Sequence, residues 1–378
     1  MRAQPVLHAA RRVVLVVGAG ALGAAVCSTA VRNVLPPAED LRSIRTANAT
    51  LPRPRVLMSG EQRAVDLLRR AGRADNALAY RGAKFFGSWS DFGHTSVLAQ
   101  VSHHPDEGTR LVFASGSAPS RRLVAADRDT GLDERMLAAL TRRYRLRVAG
   151  VEGCIGRRAT VVEALRADGG VAGRFWLDER TGLTLRRELF DARGRQVRLT
   201  LFVDLRVGDG SRPVSVPASD HPRPRPLPTA EAGRVLDREA LDGLRADGWV
   251  LPDLLPAGLT LFGAREVTVA GTRAVHLTFS DGLFMLSMFV QRGRLDPDDL
   301  PAVASRKLGD ATVYAQAGLY RHLSWEGSGL VYTVITDAPD ESVAAVVATM
   351  PHRPHDGSVL GRMSRGVSRM GSLLDPFD

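Results

Sequence analysis

The chain has 378 residues and a formal net charge of +10, but only Lys84 and Lys307 are lysines. This length predicts about two domains, and 44% hydrophobic residues are enough for two ordinary cores. The arginines are scattered among acids, as at Asp127-Arg128-Asp129, which argues against a nucleic-acid-binding protein. Contact with an anionic membrane surface fits the positive charge better.

An apolar segment from Val13 to Val31 follows Arg11-Arg12 and ends before Arg32. Its length and the charge ahead of it predict a membrane anchor or a signal sequence within residues 1–35. Ser28-Thr29-Ala30 offers the small residues that a signal peptidase reads, so cleavage and an uncleaved anchor are both open. In either case, the bulk of the chain is expected outside the cytoplasm.

The same segment contains a dinucleotide-binding fingerprint, Gly18-x-Gly20-x-x-Gly23. A nucleotide-binding domain would need a crossover helix after it, and Pro36-Pro37 interrupts that helix. The downstream pattern also lacks strands that alternate with helices. We therefore expect no dinucleotide cofactor.

Residues 36–57 are expected to form a stalk, and residues 58–207 a first domain. Apolar spacing predicts a helix from Ser59 that Gly72 ends, and a second helix from Leu132 to Arg143. Strands are predicted at residues 78–89, 95–103, 109–115, 121–126, 145–149 and 158–165.

Residues 173–205 are typical of three strands joined by two tight turns. Asp178 and Gly182 bound the first turn, and Asp191 and Gly194 bound the second. Asp supplies the side-chain-to-backbone hydrogen bond and Gly the positive φ that such turns require. The sequence therefore predicts an antiparallel meander.

Residues 208–235 are rich in proline, which predicts a stiff, extended linker. A smaller second domain is expected over residues 236–352, with helices at Arg238–Ala246 and Val343–Met350. Its strands are predicted at residues 259–269, 274–279, 283–291, 311–315, 319–325 and 330–336. Ser280, Asp281 and Gly282 form the turn between the second and third of these strands.

The tail, residues 353–378, is predicted to be a basic amphipathic helix. Its apolar residues recur close to helical spacing, and its arginines lie opposite them: Val359, Leu360, Met363, Val367 and Met370 against Arg362, Arg365 and Arg369. Such a helix can lie in a membrane interface, dock in a partner's groove, or pack back on the second domain.

The chain shows no catalytic constellation, since neither G-x-S-x-G nor H-E-x-x-H occurs in it. His103-His104 is a poor metal site because adjacent strand residues point to opposite faces. Cys27 lies in the apolar segment, so a structural disulfide with Cys154 is not expected. We therefore expect no enzyme, no metal and no cofactor.

The meander carries the pattern R-x-W-x-D-x-x-T-G-L-x-L-R-x-E-L-x-D-x-x-G, which resembles the extracytoplasmic sigma-E regulatory proteins of the RseB/MucB family. A second matching stretch is His276–Arg292 with its Ser-Asp-Gly-Leu turn, downstream of Leu255-Pro256-Ala257-Gly258. Weaker matches lie at residues 80–103 and 147–163. Four matches in the family's order identify the chain as similar to this family over roughly residues 60 to 350.

The resemblance implies an α+β fold. It comprises a curved antiparallel sheet, a half-open barrel like that of lipoprotein carriers, with packed helices. A smaller antiparallel α+β domain follows it.

The implied function is regulation of a sigma-E type envelope stress response. The protein would bind the extracytoplasmic domain of an anti-sigma factor and restrain its proteolysis, with the motif turns as a candidate partner surface. The alternative is a lipid or lipoprotein carrier of the cell envelope, with a lipid or lipoprotein as its ligand.

Overall fold

The computed structural model describes residues 59–114, 121–126, 132–208, 233–269, 272–295 and 304–352. Two antiparallel sheets make up most of this part of the chain. The first sheet ends at Val207, and the second begins at Arg234. The predicted domain bounds remain predictions. The N-terminal segment with Val13 and Val31, the linker core and the tail lie outside the described residues.

The first unit contains two helices and nine described strands. The helices are α1 (Ser59–Ala77) and α2 (Glu134–Arg143). The strands are β1 (Tyr80–Ser90), β2 (Gly93–His104), β3 (Gly108–Ala114), β4 (Arg121–Ala126), β5 (Arg145–Cys154), β6 (Arg157–Leu165), β7 (Val171–Asp178), β8 (Thr184–Phe190) and β9 (Gln196–Val207). Their order across the sheet is β4-β3-β2-β1-β9-β8-β7-β6-β5.

Helix α1 packs its apolar stripe, Ala64, Val65 and Leu68, into the core against strands β5 to β7. The prediction that Gly72 ends this helix is wrong, because the helix continues to Ala77. Gly72 instead permits a close approach, since a Cβ there would lie 2.1 Å from the carbonyl oxygen of Leu132. The glycine therefore marks the contact between α1 and the segment that leads into α2.

Bulges bend the first sheet at several places, including Ala83/Lys84, Val148/Gly150 and Trp176/Leu177. An extra residue in one strand increases the local twist and bends that strand. The predicted class, a curved antiparallel sheet with packed helices, is confirmed. Strand β5 was predicted to stop at Ala149. It runs on to Cys154, past the bulge at Gly150.

The second unit contains α3 (Arg238–Ala246) and α4 (Asp340–Thr349). Its described strands are β10 (Arg234–Val235), β11 (Leu254–Leu255), β12 (Leu259–Val269), β13 (Thr272–Ser280), β14 (Met285–Arg292), β15 (Ala304–Leu308), β16 (Ala311–Gln316), β17 (Arg321–Gly327) and β18 (Leu330–Thr336). Their order is β10-β12-β13-β14-β18-β17-β16-β15, with β11 paired to β12. The sequence did not predict the polar edge strand β15.

One face of the second sheet forms a core with both helices. Leu277, Met288 and Val334 of the sheet join Leu241 of α3 and Val343 of α4 in one buried cluster. That cluster also contains α1, α2 and first-sheet residues, so the core is continuous between the two units.

Within the described ranges, no helix is both long and apolar enough to cross a membrane.

Candidate partner-binding site

The turn between β7 and β8 lies beneath α1. The Asp178 carboxylate accepts hydrogen bonds from Thr181 Oγ1 at 2.6 Å and Arg157 Nη1 at 2.9 Å. Gly182 has φ 88°, and a Cβ there would meet Arg70 at 3.2 Å. Arg70 Nη2 also donates to the carbonyl oxygens of Glu179 and Arg180. This turn therefore packs against the C-terminal half of α1.

The turn between β8 and β9 reaches the second unit. Asp191 is 1% exposed and accepts hydrogen bonds from the backbone N–H groups of Arg193 and Arg195 at 3.0 and 2.8 Å. The backbone N–H of Ala192 donates to Glu341 Oε1 of α4 at 2.8 Å. Gly194 closes the turn with φ 77°.

The Ser280-Asp281-Gly282 turn is buried against the first unit. Asp281 Oδ1 accepts from the N–H groups of Leu283 and Phe284 at 2.9 and 2.8 Å, while Tyr144 Oη donates to Oδ2 at 2.6 Å. Ser280 Oγ donates to the carbonyl oxygen of Phe284 and accepts from the N–H of Gly282. Burial raises the pKa of both Asp281 and Tyr144 above their ordinary values.

The backbone at position 282 leaves no room for any residue but glycine. Its φ is 92°, and a Cβ there would lie 2.3 Å from the backbone nitrogen of Leu140 in α2. The sequence predicts the turn from its local pattern, but the contact joins residues more than a hundred positions apart. We call the contact between the two units the joint. Its apolar end is the cluster Leu140, Tyr144, Asp281, Gly282 and Leu283.

The other end of the joint is charged, and we define it by Arg198, Arg321, Asp337 and Asp340, with Asp91. Arg321 pairs with Asp340, and Arg198 Nε lies 3.7 Å from Asp337 Oδ2. The side chains of the two ion pairs, which exclude Asp91, are all about nine-tenths buried or more, at 6–10% exposure. Burial lowers the pKa of Arg321 to about 10, although Asp337 opposes the shift.

The turn that follows strand β1 lies at this charged end. The backbone N–H of Asp91 donates to Asp340 Oδ2 at 2.7 Å, and Arg195 Nη1 lies 3.8 Å from Asp91 Oδ1. Arg198 Nη1 donates to the carbonyl oxygen of Leu319 at 2.6 Å. The Arg198 guanidinium also lies 4.5 Å from the ring centre of Tyr320, which is 40% exposed. Tyr320 is therefore a large, exposed side chain at the solvent-exposed border of the joint. We call this border, around Tyr320 and Arg198, the rim.

Sequence reasoning singled out the turns and missed these arginines. Their signal is weak, because arginine is frequent throughout the chain. The turns themselves keep Asp178, Asp191, Ser280 and Asp281 buried. A partner would therefore meet the exposed rim that the turns support, and a partner role for the turns remains a prediction.

A second polar feature lies in the interior of the first unit. The Lys84 ammonium lies 4.7 Å from the ring centre of Phe202 and 5.9 Å from that of Phe86. Burial lowers the pKa of Lys84, whereas nearby Asp75 acts in the opposite direction. Burial raises the pKa of Asp75 itself to about 6, against the effects of Lys84 and of hydrogen bonds from Thr184.

The histidine pair has ordinary packing roles. His103 stacks on Tyr80 at 5.1 Å, and its ring nitrogens lie 2.9 Å from Thr109 Oγ1 and 3.2 Å from the carbonyl oxygen of Asn76. His104 lies near Asp106. Across the described ranges, no group of three metal-ligating side chains could hold a metal ion.

These features define an α+β protein made of two joined antiparallel sheets. The family model for the MucB/RseB N-terminal domain matches residues 123–225. These residues are therefore a MucB/RseB-type domain, which confirms the family resemblance that the sequence motifs predict. Among curated proteins, none matches the chain.

Three solved structures illustrate the likeness. A MucB crystal structure is 18% identical with a TM-score of 0.49, and covers 77% of this chain and 98% of its own. The MucA/MucB complex of Pseudomonas aeruginosa is 19% identical with a TM-score of 0.44, and covers 78% and 100%. LprF from Mycobacterium bovis is 14% identical with a TM-score of 0.27, and covers 42% and 98%.

Proposed function

We propose that this chain is an extracytoplasmic regulator that binds the extracytoplasmic domain of an anti-sigma factor and restrains its proteolysis. The observation that carries the proposal is the MucB/RseB-type domain at residues 123–225. The family's motifs also occur in the second unit, and their turns build the joint. The role is binding, and no catalytic step is assigned to it.

The exposed rim of the joint is the surface that we assign to the partner. Tyr320 is 40% exposed there, held by Arg198 beneath its ring. Aromatic and arginine side chains are the residue types that dominate binding energy at protein interfaces. The rim is also held in place from both units, so little ordering cost arises when a partner binds.

Site-specific photo-crosslinking tests this assignment. A photoreactive phenylalanine analogue would replace Tyr320 in the full chain, with the same analogue at Val235 as the matched control. Val235 is 65% exposed and lies on β10, a strand at the opposite edge of the second sheet from β15. We expect a single-span anti-sigma factor to be captured from native membranes at position 320 and not at position 235.

Capture at neither position, or equally at both, would contradict the assigned surface. The function itself is tested separately, by adding the purified chain to the captured anti-sigma factor and its protease. We expect slower cleavage of the extracytoplasmic domain. Unchanged cleavage would refute the regulatory role, even where binding occurs.

The Lys84 site favours a second candidate function, binding of an anionic lipid. A cation within 6 Å of two aromatic ring centres offers one charge and apolar neighbours to such a ligand. The chain's two lysines provide a matched comparison, because Lys307 lies on the exposed edge strand β15. We expect Lys84→Met, and not Lys307→Met, to abolish retention of phosphatidylglycerol by the purified protein. Equal retention by both variants would remove this candidate.

A further inference from the structure

The first sheet has a face that points away from α1, which we call the open face. Lys84 and Phe175 point toward the helix, because Lys84 interacts with Asp75 of α1 and Phe175 joins the core that contains the apolar stripe of α1. Successive residues of a strand point to opposite faces of the sheet. Phe85 and Trp176 therefore lie on the open face.

Apolar side chains form a group on the open face. Register places Leu98, Phe85 and Leu201 in one row across β2, β1 and β9. Leu98 is 46% exposed, and Val203, which the bulge leaves without a partner in β1, is 49% exposed. A contiguous group of this kind is typical of an interaction site, unlike single apolar residues scattered over a surface. We call this group the apolar patch, and it consists of Phe85, Trp89, Leu98, Leu199, Leu201 and Val203.

Gly87 lets the ring of Trp89 lie close to the sheet within this patch. A Cβ on Gly87 would lie 2.5 Å from Trp89 Cη2 and 3.2 Å from Phe85 Cε1. The far end of the indole ring therefore lies over the backbone of Gly87, beside the ring of Phe85. Both aromatic side chains remain half-buried. Tryptophan is enriched where apolar and aqueous regions meet, because its ring is apolar and its N–H is polar.

A row of polar side chains crosses the same face at one end of the patch. Arg81 precedes Phe85 by four residues, which places the row about 13 Å from it along the strand. Arg110 Nη2 lies 3.7 Å from Glu107 Oε2, whereas Arg81 and Arg206 form no ion pair among the described residues. The row runs across β3, β2, β1 and β9 in the order Arg110, Ser102, Arg81 and Arg206.

The two arginines without an ion pair lie directly opposite each other. Like charges in such a cross-strand pair destabilise a sheet. Asp204 lies one row nearer the patch, opposite Ala83, and its single carboxylate balances at most one of the two charges. A phosphate group would relieve the remaining repulsion, since guanidinium groups bind phosphate with paired hydrogen bonds.

We propose that the open face docks on an anionic membrane surface, with the apolar patch in the headgroup region and Arg81 and Arg206 on lipid phosphates. Charge complementarity favours this occupant over a second copy of the chain. With a net charge of +10, a second copy would repel the first overall, whereas an anionic leaflet attracts such a chain. The surface is separate from Lys84, which points to the other face of the sheet, and from the rim around Tyr320.

Photo-crosslinking to lipid tests the proposal. A photoreactive phenylalanine analogue would replace Leu98 in the full chain, with the same analogue at Val235 as the control, since Val235 is 65% exposed and lies in the second unit. The chain would be mixed with vesicles of equal parts phosphatidylglycerol and phosphatidylcholine, and the adducts identified by peptide mass spectrometry. We expect phosphatidylglycerol adducts at position 98 and none at position 235. No adduct at position 98, equal adducts at both positions, or capture of a second copy at position 98 would overturn the proposal.

Substitution of the arginines tests the recognition of phosphate. Each arginine near an anionic surface strengthens binding about fivefold, so Arg81→Gln/Arg206→Gln should reduce the adduct at position 98 by up to about thirtyfold. Arg63→Gln/Arg73→Gln is the matched control, because it removes two exposed arginines from α1 and changes the net charge equally. Equal losses in the two double variants would overturn the proposal, because net charge alone would then explain the binding.

A single substitution tests the apolar patch. Val203→Asp places a charge among the apolar side chains and should reduce the adduct at position 98, without disturbing a core, since Val203 is 49% exposed. Lys84→Met should leave this adduct unchanged, because a lipid held beside Lys84 would lie on the other side of the sheet. An adduct that Val203→Asp leaves intact, or that Lys84→Met abolishes, would overturn docking through the open face.

Discussion

The two ends of the joint connect the same two units by different physical means. At the apolar end, a backbone turn fits against a helix, and Gly282 leaves no space for a side chain. At the charged end, arginines and carboxylates pair in a buried place, as Arg321 does with Asp340. Shape complementarity tolerates neither added nor removed atoms, whereas a buried ion pair depends on both partners being present. The comparison predicts different responses to substitution, which can be measured separately.

The largest effect is expected at the charged end. Arg321→Met leaves Asp340 with a side chain 10% exposed and without its paired cation. Removal of one partner of a buried ion pair costs about 3–5 kcal/mol, because the remaining charge stays buried. We expect the free energy of unfolding from urea titration to fall by about this amount.

The double variant Arg321→Met/Asp340→Leu is the control for that result. Replacement of both charges by apolar groups is often neutral, so most of the lost stability should return. A double variant as unstable as Arg321→Met alone would show that the pair is not what holds this end together.

At the apolar end, Gly282→Ala should cost about 2–4 kcal/mol, from the positive φ and the clash with Leu140 together. Gly194→Ala is the matched control, because its φ is 77° and nothing lies within 4 Å of the added Cβ. The control should lose only about 1–2 kcal/mol. Equal losses in urea unfolding would mean that the contact with α2 contributes nothing.

These glycines also show what the sequence can and cannot predict. The pattern around Gly194 and Gly282 predicts both turns, because a turn depends on residues a few positions apart. It does not distinguish the two, although one faces solvent and the other a helix. The meander, both sheets and most strand bounds follow from the same local signals.

Contacts between residues that are far apart in sequence leave no such local signal. Tyr144 and Asp281 are 137 positions apart, and nothing near either residue indicates the other. Strand β15 was missed for a related reason, since its exposed residues Ser305, Arg306 and Lys307 have no apolar alternation. Gly72 was misread as a helix end because its close neighbour, Leu132, is 60 positions away.

A hydroxyl deletion at the apolar end should have a smaller effect. Tyr144→Phe removes the donor to Asp281 Oδ2, and loss of a hydrogen bond to a buried carboxyl group costs about 1–3 kcal/mol. Tyr332→Phe is the matched control, since that buried hydroxyl has no partner among the described residues. The control should be neutral in thermal unfolding. A loss for Tyr332→Phe as large as for Tyr144→Phe would remove the role assigned to the bond across the joint.

A further effect is expected outside the joint, in the pH dependence of stability. Burial lowers the pKa of His276 to about 4, with Arg265 acting in the same direction. The unfolded chain therefore binds a proton near pH 6.5 that the folded chain does not, so this histidine lowers stability as pH falls from about 6.5 to 4. We expect a loss of at most about 3 kcal/mol over that range, measured as the difference between the chain and His276→Phe.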